Sequence, residues 1–213
     1  MPEGARRERR LSRQPEPLMP GVGPIPCYVD LYWIPVAAGT SRLQQASLAW
    51  WEAFEALRCR RPRATLLHSA LKIALGDDET YTLEVAPAFI SGATPPLATG
   101  PVGVRGADRW RLFRYQLRSL VVEKLPDEEW AVASPVRLAD SCTVVQQLLE
   151  LAPSVPRHTW GRRARGTREM WTSDSTVSWL LTRTGIDLSS VQPPAGGRAP
   201  GWQAGIDLAQ AEG

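Results

Sequence analysis

The 213-residue chain has no apolar run approaching eighteen residues, which excludes a membrane-spanning helix. Cysteine is scarce. Cys27, Cys59 and Cys142 sit far apart, with neither a C-x-x-C pair nor Cys/His ligand spacing. That pattern argues against structural zinc and against a disulfide framework, and it fits a reducing, cytoplasmic setting. No metal or cofactor is expected. Lysine is almost missing, 2 residues against 23 arginines. So lopsided a ratio reads as the codon bias of a GC-rich genome, and arginine abundance alone then says little about binding. Histidine is equally rare, with only His68 and His158.

A strong charge excess is absent as well. The net charge is +3, and residues 1–26 hold five arginines against Glu3, Glu8 and Glu16. The body is therefore close to neutral, which argues against a nucleic-acid partner despite basic clusters at 58–63 and 162–168. Charge runs of that size are read here as solvated loops. The first 26 residues, with six prolines and no apolar h-region, are expected to form a disordered basic tail rather than a secretory signal. A single domain is expected over 27–208, followed by a short tail at 209–213.

What is present is a mixed pattern of alternation and helical spacing. Cys27–Pro35 alternates as a first strand. Residues 41–60 place Leu43, Ala46, Trp50, Phe54 and Leu57 at helical spacing, with Thr40 or Ser41 as the cap and Pro62 as the stop. Segments 66–75 and 80–86 read as a hairpin around Gly76, with Leu67, Leu71 and Ile73 on one face and His68, Ala70 and Lys72 on the other. In the second strand Tyr81, Leu83 and Val85 oppose Thr82 and Glu84. Whether His68 and Glu84 share a face depends on the turn's parity. Residues 109–122 form the longest strand candidate. Helices are expected over 140–151 and 173–184, the second with Gly185 as its C′ residue. The run 192–202 reads as irregular. These elements predict an α+β domain with a mainly antiparallel sheet of four to six strands and packed helices.

Two segments carry candidate chemistry. His68 lies in mid-strand, and imidazole can act as a base when its tautomer is fixed. Thr172-Ser173-Asp174-Ser175 opens an apolar helix, where unpaired N–H groups stabilise an oxyanion. All four are also good N-cap residues, so the cluster has a purely structural reading. Ser173 is the candidate nucleophile, with Ser175 and Cys142 as rivals. Glu84 is the candidate orienting group for His68, ahead of Asp30 and Asp174. His158 reads as structural. Arg198, in a Gly- and Pro-rich run, is a candidate anion ligand or part of a turn-rich cover.

The stretch Thr172-Ser173-Asp174-Ser175-Thr176-Val177, continued by Trp179-Leu180-Leu181, resembles the late nucleophile motif of the permuted papain-like superfamily. That group includes lecithin–retinol acyltransferase-like proteins and NlpC-type relatives. In it an early-strand histidine, a polar residue on the next strand and a cysteine opening a late helix form the site. The resemblance implies His68 as base, Glu84 as third residue and Ser173 in the cysteine's place. It implies a hydrolase or acyltransferase-like protein acting on an amide or ester of a small molecule or peptide. Its alternative is a non-catalytic binding domain of the same fold, with a nucleic-acid-binding module third. The run after Gly185 is also similar to segments of bacterial proteins.

Overall fold

The computed structural model describes residues 26–36, 38, 52, 56–57, 60–76, 80–89, 95–121, 125 and 127–213. All but Pro26 of the expected N-terminal tail, most of the expected 41–60 helix and Cys59 lie outside the described residues.

Alternating apolar side chains build the sheet. β1 (Cys27–Pro35), β2 (Thr65–Leu75), β3 (Thr80–Pro87), β4 (Ala98–Pro101), β5 (Arg114–Val121) and β6 (Val136–Ala139) lie in the order β4-β5-β3-β2-β1-β6. Every neighbouring pair on that path is antiparallel. A two-residue β7 (Gly197–Arg198) pairs in parallel with Thr65 and Leu66 of β2, beyond the end of the β2–β3 ladder. The architecture is α+β and mainly antiparallel, with six strands on the main path and β7 at its side.

Register fixes the two faces. Leu31 pairs with Leu71, and Leu71 with Leu83. The odd-numbered side chains Val29, Leu31, Trp33, Leu67, Leu71, Ile73, Leu83 and Leu117 therefore share one face and form the main core. Each fully buried aliphatic among them contributes about 1.5–3 kcal/mol relative to exposure. The opposite face carries Asp30, Tyr32, His68, Lys72, Thr82, Glu84 and Arg118. Part of it is covered by Leu125 and the turn at Glu128–Trp130: Leu125 packs with Tyr32, Ile34 and Ala70. Glu128 accepts from Tyr32 Oη (3.2 Å) and pairs with Lys72 (3.5 Å).

Among the described residues three helices, α1 (Cys142–Leu151), α2 (Ser173–Arg183) and α3 (Trp202–Ala211), contribute to the main core. α1 offers Val145 and Leu148 at three-residue spacing. α2 ends as its sequence predicts: Gly185 N–H donates to Thr182 and Ile186 N–H to Leu181, the paired closure of a Schellman motif.

Three features depart from expectation. The 109–122 strand begins only at Arg114. Residues 107–109 and 111–113 are short 3₁₀ turns, and Trp110, Leu112 and Phe113 face solvent instead of a packing layer. The expected C-terminal tail is structured, since α3 runs to Ala211, buries Ala209 and lets Glu212 accept from Trp179 Nε1 at 3.0 Å. Finally, Cys27 and Cys142 form a disulfide. The β1–β6 pairing sets Ala139 beside Val29, so the start of α1 meets the start of β1 although 115 residues separate the cysteines. The inference from scattered cysteines is corrected accordingly: distance along the chain is no measure of distance in a sheet.

Candidate functional site

His68 lies in β2 and Ser173 is the first residue of α2, as expected, but the sheet separates their side chains. Ser69, the next residue along β2, points to the α2 side. Its N–H and Oγ both donate to Asp174 Oδ1, at 2.7 and 2.8 Å. Successive strand side chains alternate, so His68 points to the other face. Its environment agrees. Burial lowers its pKa, and the charge that opposes this belongs to Asp127, in the segment covering that second face. Ser173 is only 7% exposed. Without a base, a serine hydroxyl is a poor nucleophile.

Glu84 does share a face with His68, because the β2–β3 register pairs odd with odd and even with even. Its carboxylate is engaged elsewhere, accepting from Arg118 Nη2 at 2.9 Å across the β3–β5 pair. The structure thus does not bring His68, Ser173 and Glu84 together. Among the rivals, Cys142 is bonded to Cys27 and is not a free thiol. Asp30 is held by Arg137 through both carboxylate oxygens. His158 packs edge-on against Trp171 with centroids 5.0 Å apart, and its carbonyl accepts from Tyr115 Oη.

The small-polar cluster is explained by helix building. Thr172 caps α2, its Oγ1 accepting from Asp174 N–H, while Ser175 Oγ accepts from Thr172 N–H to complete a capping box. Further along the helix the hydroxyls meet α3. Ser175 Oγ donates to Gly201 O and Ser178 Oγ to Trp202 O, both at 2.7 Å. All residues from Ser173 to Leu181 are buried. Short hydroxyl side chains let α3 lie almost on the backbone of α2. A Cβ added at Gly205 would stand 2.1 Å from Ser175 O and from Ser178 Oγ.

Asp174 is the unusual member. Burial pushes its pKa up to about 7, against the two hydrogen bonds from Ser69, and the Glu169 charge raises it further. It clamps α2 to β2 from inside the core.

Concave surface lies elsewhere, between the end of α2, the loop 185–193, β7 and one side of α3. This cleft encloses ≈ 750 Å³. Its apolar lining comes from Ile186, Leu188, Val191, Ala199, Trp202 and Ile206. Polar groups on its walls include Thr182, Gln192, Gln203 and Gln210, with Glu169 and Arg198 paired at 3.7 Å. Glu169 also accepts from Gly201 N–H (2.8 Å), which ties the cleft wall to the start of α3. Trp202 lines it and also packs against Trp33 of the core, centroids 4.8 Å apart. Neither histidine nor cysteine lines it. Among the described residues no three His, Cys, Asp or Glu side chains converge as a metal site.

Arg198 was legible as a candidate ligand in the sequence, because a charged residue stands alone in a Gly/Pro run. Ile206, Gln203 and Gln210 were not, since the helix they occupy was hidden behind that same run. Compared with family models, curated proteins and solved structures, the chain matches none.

Proposed function

We propose that the protein is a non-catalytic binding domain whose ligand occupies the cleft between α2, β7 and α3. The observation that carries this reading is the cleft itself: ≈ 750 Å³, lined by apolar side chains together with amide and charged groups. Its size and make-up fit a small molecule or the side chains of a peptide segment. A ligand with an apolar body and a polar end matches the apolar lining and the Arg198–Glu169 pair. The hydrolase or acyltransferase reading, and with it the permuted papain-like relation, needs a base at Ser173, and the alternation of β2 supports no such contact. No helix among the described residues is long and apolar enough to cross a membrane. The cytoplasmic setting expected from isolated thiols loses its support once Cys27 and Cys142 are joined, and we favour an oxidising compartment.

The test is a fragment screen by ligand-observed NMR, run on wild type and on Ile206→Arg, alongside a fluorophosphonate probe. Binding of apolar–polar fragments that disappears in Ile206→Arg, with no labelling of Ser173, is the expected result. Labelling at Ser173 that requires His68 would restore the hydrolase reading. Fragments that bind the Ile206→Arg variant equally well would remove the cleft from consideration.

A further inference from the structure

One end of the sheet gathers exposed apolar side chains and arginines. The end of β3, the end of β4 and the start of β5 meet there, with Pro87 opposite Tyr115 and Pro101 opposite Arg114. Five apolar side chains project from it: Phe89 (55% exposed), Val104 (63%), Trp110 (54%), Leu112 (65%) and Phe113 (44%). The segments that carry them are tied together. Arg111 Nη2 donates to Ala88 O (3.2 Å), Arg114 Nε donates to Asp108 O, and the rings of Trp110 and Phe113 meet edge to face. Five large apolar side chains exposed at one end of a sheet suggest an interaction site more than scattered single residues do.

Charge concentrates at the same end. Residues 102–114 carry four arginines against Asp108, and residues 157–168 carry five arginines and no carboxylate. The second segment is fastened to the first: Gly103 N–H donates to Trp160 O, and Arg162 Nε donates to Gly103 O at 2.7 Å. The whole chain is only +3, so this end is far more positive than the rest. Arg105, Arg109 and Arg111 form no ion pair with any described residue. The Arg109 guanidinium lies 4.1 Å above the Trp110 ring, so cation and aromatic face outward together.

We propose that this end of the sheet docks on an anionic lipid surface. Trp110, Leu112, Phe113 and Phe89 enter the boundary between headgroups and acyl chains, and the arginines lie against lipid phosphates. The side chains favour lipid over a nucleic acid. The most exposed members, Leu112 and Val104, are aliphatic and cannot stack on bases, and one face of Trp110 is already occupied by Arg109. An indole at the rim of an apolar cluster suits the membrane interface, where one part is wet and the other is not.

Sedimentation of the full chain with vesicles tests this. Vesicles of phosphatidylcholine with phosphatidylglycerol should carry the protein down, phosphatidylcholine alone should not, and added salt should release it. Leu112→Glu should lower the bound fraction strongly. Arg105→Glu with Arg109→Glu should lower the partition coefficient by about tenfold or more, each charge contributing near the surface. Val121→Glu, at the far end of β5 and 70% exposed, should change nothing. Unchanged circular dichroism in each variant separates lost docking from lost folding. Failure to sediment with anionic vesicles overturns the proposal, as does binding indifferent to Leu112→Glu. Tighter binding to a fluorescent single-stranded oligonucleotide, lost in the same arginine variants, would make this a nucleic-acid surface instead.

Discussion

Asp174 concentrates the physics of this chain in one side chain. Its carboxyl sits inside the core with Ser69 as its hydrogen-bonding partner, and its pKa rises from 3.8 to about 7. The native state therefore binds a proton that the unfolded chain has released. The contribution is most favourable below about pH 4 and is lost as pH rises toward about 7. His68 acts in the opposite sense: its lowered pKa costs stability as pH falls through the range where the unfolded imidazole protonates. Asp174→Asn isolates the first effect, since the amide oxygen can still accept from Ser69 without carrying charge. Chemical denaturation between pH 4 and 8 should show the stability of the variant shifted upward relative to wild type as pH rises, by a few kcal/mol across the range, on the scale of about 1.4 kcal/mol per unit of pKa shift. Equal slopes in the two proteins would mean that Asp174 titrates normally.

At the level of elements, the α2–α3 seam is the part most sensitive to size. Gly205→Ala introduces a carbon 2.1 Å from a backbone carbonyl that belongs to another helix. The helices must part, and a loss of about 1–3 kcal/mol is expected from overpacking. Ser178→Ala removes a hydroxyl that donates to Trp202 O, with a smaller loss of about 1 kcal/mol, provided the carbonyl finds no other donor. Thermal midpoints that fall further for Gly205→Ala than for Ser178→Ala would bear this ordering out.

The same seam explains how far the sequence could be read. The hairpin faces, β1 and the ends of α2 were legible because alternation and capping are local properties. α3 was not, because Gly201 and Gly205 look like turn residues until another helix is seen pressing on them. Gly201 caps α3 at φ 90, a left-handed conformation that suits glycine, so a helix start was disguised as a loop end. Likewise Thr172, Ser173 and Ser175 announced a helix N-terminus clearly. The face assignment was legible too, but it was not carried through to the site. With Leu67 and Leu71 turned to the core, Ser69 meets α2 through Asp174 and His68 must point away from Ser173.

Across the whole molecule, the disulfide is the longest-range covalent constraint, joining the first residue of β1 to the first turn of α1. Reduction, or Cys142→Ser, frees a loop with a sequence separation of 115 residues and should lower stability by about 2–5 kcal/mol. Denaturant midpoints with and without reductant measure it, and Cys142→Ser should make the protein insensitive to the reductant.

The bond also divides the chain into a ring and two arms, residues 1–26 and the residues after Cys142. β1 to β6 lie within the closed circuit from Cys27 to Cys142, while α2, β7 and α3, with the cleft they frame, lie on the C-terminal arm. A protease that cuts once inside the circuit produces no separate piece: the two fragments travel as one band until a reductant is added. A cut between α1 and α2 severs the cleft-bearing arm at once, and the arm then stays only through its packing. Gels run with and without reductant after limited digestion therefore distinguish a nick in the sheet from a nick that releases the candidate binding site.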